Sequence, residues 1–284
     1  MQDLFGCLNI YKPVGMTSHD VVAILRRKTK IRQIGHTGTL DPFAEGVLPI
    51  CIGKATRLIE FLPDDKEYLA TIQFGASTTT YDIEGEKTFT SDKKVNESEI
   101  IEALHTFEGE ISQLPPIYSA IKVKGKKLYE YARKGEEVEI QPRKVTIENI
   151  ELKSFDETLQ QAQVLIKCSK GTYIRSIAND LGQNLGCGGH LIKLIRTQAG
   201  KFRVEDSVQL DEIDIAKNII NPLEIMDLPK LQLSYEEYSR ISHGMPIQNS
   251  KKHVNFLSLI YNNNEICAVG FADESGIKAK KVFL

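Results

Sequence analysis

The run Gly35-His36-Thr37-Gly38-Thr39-Leu40-Asp41-Pro42-Phe43-Ala44-Glu45-Gly46 sets one carboxylate, Asp41, on a glycine-punctuated stretch close to an imidazole, His36. An ionised carboxylate held in this way can serve as a nucleophile, a base or an electrostatic partner. Gly35, Gly38 and Gly46 let the backbone turn sharply or approach a ligand, and Pro42 fixes the chain direction just after the acid. The same Asp-Pro pair also reads as a helix N-cap followed by a first helical position. No metal-ligand spacing competes with Asp41, and Gly186-Cys187-Gly188 follows a helical pattern, so it reads as a C-cap and turn rather than a phosphate loop.

The elements that would carry this stretch are legible on both sides. Leu8 to Tyr11 reads as a short strand, and Ser18 can cap a helix whose Val21, Val22 and Leu25 share a face. That helix runs into Arg26, Arg27, Lys28, Lys30 and Arg32, cations that suit the negative end of its dipole. From Tyr68 the pattern alternates, with Tyr68, Ala70, Ile72 and Phe74 on one side, as in a half-buried strand. Asn96 to Phe107 reads as a helix with Ile100, Ile101, Leu104 and Phe107 buried. Residues 108 to 145 hold Pro115-Pro116 and Lys122, Lys124, Lys126 and Lys127, and read as an excursion from the core. Val164 to Cys168 is a strand and Ser176 to Leu185 a helix ending at Gly186. Tyr173 and Arg175 thus fall at a strand-to-helix junction, where exposed side chains are held by rigid elements.

The 284 residues, 41% hydrophobic, suffice for a large domain at 1–228 and a small one at 229–284, where Val254 to Ile260, Ile266 to Phe271 and Lys281 to Leu284 read as short strands. No apolar run approaches the length that spans a bilayer, and Met1 to Gly6 lacks the basic region of a leader, so a cytoplasmic protein with no membrane association is expected. The five cysteines are scattered without a C-x-x-C pair, which predicts reduced, packed thiols. A net charge of −2 shows no basic excess. Two local clusters, Arg26 and Arg27 in one and Lys122, Lys124, Lys126 and Lys127 in the other, are solvated faces or phosphate contacts.

GHTGTLDPFAEGVL resembles the signature of the TruB family of tRNA pseudouridine synthases, in which the Asp of the H-T-G-x-L-D-P run is catalytic. Further blocks occur in the family's order: Lys12-Pro13-Val14-Gly15-Met16-Thr17-Ser18, Lys66-Glu67-Tyr68, Gly75 to Gly85, Pro115 to Ala120 with Gly125 to Arg133, and Cys168 to Ser176. The resemblance implies an α+β pseudouridine synthase fold, with a mixed, mainly antiparallel sheet flanked by helices. It also implies a small C-terminal β-rich PUA-like domain near His243-Gly244-Met245-Pro246. The implied activity is isomerisation of uridine 55 in the T loop of tRNA, without cofactor, metal or protein partner, by a monomer.

In that scheme Asp41 is the catalytic residue and Arg175 its ion-pair partner. Tyr68 and Tyr173 stack on the everted uracil or offer it a hydroxyl, and Leu194 forms an apolar wall. His36 lies against RNA near the flipped nucleotide, and Lys12-Pro13 supports the floor. The basic clusters meet phosphates. Two departures stand out: Ile195 replaces the usual Arg of the L-R-R pattern, and Thr79 replaces an Asp of Thr-Asp-Thr-x-Asp. Alternative readings are an RNA-binding helper of tRNA folding and a guide-RNA-dependent synthase acting on ribosomal RNA.

Overall fold

A computed structural model describes residues 4–250, 252, 254–261 and 265–283. The nearly all-buried strand β1 (Gly6–Lys12) leads into α1 (Ser18–Thr29), whose Val21, Val22 and Leu25 are buried as their spacing predicts. Thr17, not Ser18, caps α1. Its hydroxyl accepts from the Asp20 amide while the Asp20 carboxylate accepts from the Thr17 amide, a reciprocal box. Ser18 turns inward instead and bonds both the N–H and the carbonyl of Leu40.

β2 (Ile34–His36) and β3 (Glu45–Ile52) bracket the Asp41 stretch, and a 3-10 segment, Gly53–Phe61, follows. Next come β4 (Lys66–Phe74), β5 (Ala76–Thr78), β6 (Lys87–Thr90), α2 (Glu97–His105) and β7 (Gly109–Gln113). In α2, Ile100 and Leu104 are buried but Ile101 is 41% exposed, because one residue is a turn of about 100° and carries it off the inner stripe. The excursion holds the small hairpin β8 (Lys122–Val123) and β9 (Lys126–Lys127), then α3 (Leu128–Lys134). It is narrower than 108–145, since Gly109–Gln113 pairs with Arg143–Ile147 inside the main sheet.

β10 (Arg143–Asp156), β11 (Gln161–Cys168), α4 (Ile174–Asn184), β12 (Gly189–Ala199) and β13 (Phe202–Arg203) complete the main unit. α4 begins two residues before the expected Ser176. The nine-stranded sheet runs β1-β3-β12-β4-β11-β10-β7, with β2 beside β3 and β13 beside β12. Every pairing is antiparallel except β12 with β3, so the sheet is mixed and mainly antiparallel. Alternation splits the burial: Leu48, Ile50 and Ile52 join the core under α1, α2 and α4, while Val47 and Cys51 face the opposite side.

That opposite side is covered by the 3-10 segment and by the C-terminal residues. α5 (Ile215–Asn218) and α6 (Pro222–Ile225) lead to β14 (Lys230–Gln232), α7 (Tyr235–Ser242), β15 (Asn255–Tyr261), β16 (Glu265–Asp273) and β17 (Gly276–Val282). These four strands form a second sheet, and its Ile260, Ile266, Val269 and Phe283 pack with Leu58 and Leu62. The last strand starts at Gly276 rather than Lys281. The mixed Ile277-Lys278-Ala279-Lys280 run, at a sheet edge, conceals it from hydropathy; Leu284 lies outside the described residues. All five cysteines are buried and free of disulfides.

Candidate active site

The Asp41 stretch forms a turn and not a helix: the Ala44 amide donates to the Asp41 carbonyl and the chain then enters β3. The helix-cap reading of Asp41-Pro42 is thereby removed. Leu40, held by Ser18, tucks into the core immediately before Asp41, and this fixes the side from which the carboxylate emerges. A cavity of about 600 Å³ opens there, lined by Asp41, Tyr68, Tyr173, Arg175 and Leu194 among others. Five residues singled out in the sequence, drawn from four separate segments, thus meet on one surface.

Arg175, in the first turn of α4, places its Nε 2.9 Å from the Asp41 Oδ2. The contact is an ion pair rather than an aligned hydrogen bond, since the N–H does not point at the oxygen. Its other nitrogens are fixed from behind: Nη1 donates to the Thr80 carbonyl at 3.2 Å and meets Asp82 Oδ2 at 3.4 Å, and Nη2 donates to the Tyr118 carbonyl at 3.0 Å. Asp82 is buried, accepts from the Thr80 hydroxyl at 2.5 Å and from the Glu84 amide at 3.1 Å, and burial pushes its carboxyl up. One guanidinium therefore spans two carboxylates, one buried and one open to the cavity.

Tyr173 is the N-cap residue of α4, and its backbone is clasped by Gln113, whose amide donates to the Tyr173 carbonyl at 3.0 Å and accepts from its N–H at 2.8 Å. Tyr68 and Leu194 project from the adjacent strands β4 and β12 into the same wall. Burial raises the phenols of both tyrosines, which stay neutral donors. Lys12 is fully buried and does not line the cavity; it donates to the carbonyls of Pro13 and Met16 at 2.8 Å each and to that of Pro42 at 3.4 Å, and burial lowers its ammonium to about 8. Lys66 stands in the cavity wall and is lowered by burial too.

Other sequence candidates lie outside the cavity wall. His36 stands behind it, edge-on to His19 with ring centroids 5.5 Å apart, and burial pushes its imidazole down to about 4. His19, which carried no sequence signal, is the histidine on the cavity itself. Arg26 donates to the Ile34 carbonyl, and Arg27 is exposed on the same helix end. In the excursion, Lys122 and Lys124 are exposed, Lys126 sits over the Tyr131 ring and Lys127 over the Tyr129 ring. Tyr129 and Arg133 reach the cavity, so this cluster borders the mouth and the Arg26 cluster does not.

Both departures have plain local consequences. Thr79 accepts from the Glu86 amide at 3.2 Å and so closes its turn, while Ile195 pairs across strands with Leu69 and Glu45. Two buried residues received no role from the sequence. Asp82 is one, and Arg196 is the other, fully buried with three carbonyls around its guanidinium. Two signals for Arg196 were available: it is the Arg retained from the L-R-R pattern, and by period two it shares the inward face of β12 with Leu194.

Residues 26–174 match the model of the TruB family pseudouridylate synthase N-terminal domain, and 175–225 that of the tRNA pseudouridylate synthase B C-terminal domain. The chain is 44% identical to tRNA pseudouridine synthase B of Caldanaerobacter subterraneus subsp. tengcongensis, covering 98% of this chain and 99% of the relative. It is 45% identical to that of Carboxydothermus hydrogenoformans, over 98% of each. Among solved structures, a chain of a Cbf5-Nop10-Gar1 complex superposes with a TM-score of 0.74 at 27% identity, covering 99% of this chain and 85% of that one. A chain of an H/ACA RNP bound to a substrate RNA containing 2'-deoxyuridine gives 0.73 at 26%, with the same coverage. With its signature turn, its family-model match and its near-full-length relatives in agreement, the chain belongs to the TruB family of pseudouridylate synthases.

Proposed function

We propose that this protein isomerises uridine to pseudouridine at position 55 in the T loop of tRNA. The observation that carries the reading is the Asp41 carboxylate, open to a cavity with ample room for an everted base and paired with Arg175. The reaction breaks the bond from N1 to the ribose, rotates the uracil and rejoins it through C5. A carboxylate serves that sequence by attacking the base, attacking the ribose carbon or removing a proton to leave a glycal. Arg175 pairs with Asp41 at 2.9 Å and helps to aim it. Tyr68, Tyr173 and Leu194 form the apolar and aromatic walls that receive a base swung out of its stack. No redox or metal chemistry is needed for an isomerisation of this kind.

Further from the cavity, Lys122, Lys124, Lys126 and Lys127 at the mouth meet phosphates of the T arm, Arg26 and Arg27 are a more distant contact, and His36 with His19 borders the opened nucleotide. Residues 229–284 act as a short PUA-like RNA-binding unit beside a catalytic unit at 1–228. The protein works in the cytoplasm as a monomer without a protein partner. The likeness to H/ACA chains favours one competitor, a guide-RNA-dependent synthase.

Incubating the purified protein with unmodified tRNA, without guide RNA, metal or nucleotide, and mapping pseudouridine by carbodiimide labelling and primer extension separates the two. One new stop at the T-loop uridine is expected. Tight binding with no stop would move the protein to the helper class or to guide dependence.

A further inference from the structure

Asp41 is steered through its side chain by a single off-axis ion pair, so its aim depends on the backbone that carries it. That backbone is held by Ser18 at Leu40, by Gly15 and Lys12 at Pro42, and on both flanks by Arg196. Arg196 donates from Nε to the Val47 carbonyl at 2.6 Å, from Nη1 to the Thr39 carbonyl at 3.3 Å and from Nη2 to the Gly38 carbonyl at 3.2 Å. Gly38 and Thr39 precede Asp41, and Val47 follows it. The Arg196 backbone adds a fourth link, through its parallel pairing with Gly46. Gly46 has φ +107, and a Cβ there would collide with the Arg196 carbonyl oxygen, so strand and loop touch with no room for a side chain.

The charge makes the arrangement hard to read as packing alone. Arg196 is 0% exposed and forms no ion pair with a carboxylate among the described residues. Burying a cation on carbonyls alone is costly, and an apolar side chain of similar volume would fill the space without that cost. What the guanidinium supplies is a rigid planar fork able to reach three carbonyls at both ends of one loop, which an ammonium cannot copy. Its cross-strand neighbour is Tyr68, so loop and aromatic wall share one support.

We propose that Arg196 is the positioning residue for turnover, stapling both ends of the Asp41 loop so that the carboxylate meets the reacting base in register. The proposal rests on the reading of Asp41 as the reactive group. A shift of the order of 1 Å in such a group costs roughly a hundredfold in rate. In single-turnover reactions with tRNA, R196K should lower the plateau rate about a hundredfold while the half-saturating enzyme concentration stays within about threefold. R196A should regain part of the plateau with added methylguanidinium and none with methylammonium.

Leu58→Ala, at a fully buried side chain of the 3-10 segment away from the cavity, serves as the stability-matched control: it should melt at least as early as R196K and keep its plateau. A plateau for R196K within threefold of the unaltered protein, or losses that merely track melting temperature in both variants, would overturn the proposal. So would failure of every Arg196 variant to fold, which would make the residue a core support. D41N run alongside separates the two levels. If D41N turns over, the reading of Asp41 fails; if only R196K does, the staple alone fails.

Discussion

The Asp41 loop and the excursion between β7 and β10 both border the cavity, yet they are built on opposite principles. The loop is tied to buried partners on every side: Ser18 on Leu40, Arg196 on three carbonyls, Arg175 on the carboxylate. The excursion carries its cations on exposed side chains that rest on the rings of Tyr129 and Tyr131, interactions worth about 0.5–1 kcal/mol at such sites. It meets the site through its backbone, where Arg175 and Ser176 donate to the carbonyls of Tyr118 and Leu114, and through Tyr129 and Arg133 at the cavity. Rigid and adjustable parts thus meet at one guanidinium. The geometry suits an enzyme whose chemistry needs fixed atoms and whose substrate is a large, charged, folded RNA.

If that division holds, variants of the two regions should fail in different ways. D41N is expected to reduce turnover on the order of a thousandfold or more, with tRNA affinity within about tenfold. Binding is read by filter retention and turnover by pseudouridine mapping. Next in size, D82N removes the buried charge that holds Arg175 from behind. It should cost about 10- to 100-fold in plateau rate with little change in affinity. An unchanged rate would show that Asp82 is only a support of its own turn.

Replacing Lys122, Lys124, Lys126 and Lys127 by Ala should raise the dissociation constant roughly tenfold and make the salt dependence shallower by about 0.7 to 0.9 for each phosphate left without its cation. The same slope as the unaltered protein would remove the excursion from the RNA interface. The smallest effect concerns stability. His36 titrates near 4 in the fold against 6.5 ordinarily, so between those values the unfolded chain binds a proton that the folded one refuses. Stability should fall as pH drops from about 6.5 towards 4, and H36Q should lessen that fall in denaturant melts at pH 7 and 5.

What the sequence made legible was local. Asp41 stood out by its glycines, β4 by alternation from Tyr68 to Phe74, α1 by the spacing of Val21, Val22 and Leu25, and each occurs in the structure. Arg175 and Leu194 came through resemblance, and the fold brings both to the cavity. The sequence could not display supports that act across long separations. Gln113 clasps Tyr173 from 60 positions away, and Arg196 grips Gly38 from 158. A glutamine or arginine buried on backbone carbonyls has no composition signal, because its partners are present at every residue. Ile101 misleads for the opposite reason: an apolar side chain one position off the stripe looks like core in a window too short to resolve 100°.

The most direct test of the division is one single-turnover titration, rate against enzyme concentration on unmodified tRNA, run in parallel for R175K and the four-lysine variant. R175K should keep its half-saturating concentration and lose most of its plateau, while the lysine variant keeps its plateau and saturates at roughly tenfold higher concentration. A lowered plateau for the lysine variant together with an unchanged plateau for R175K would contradict the account.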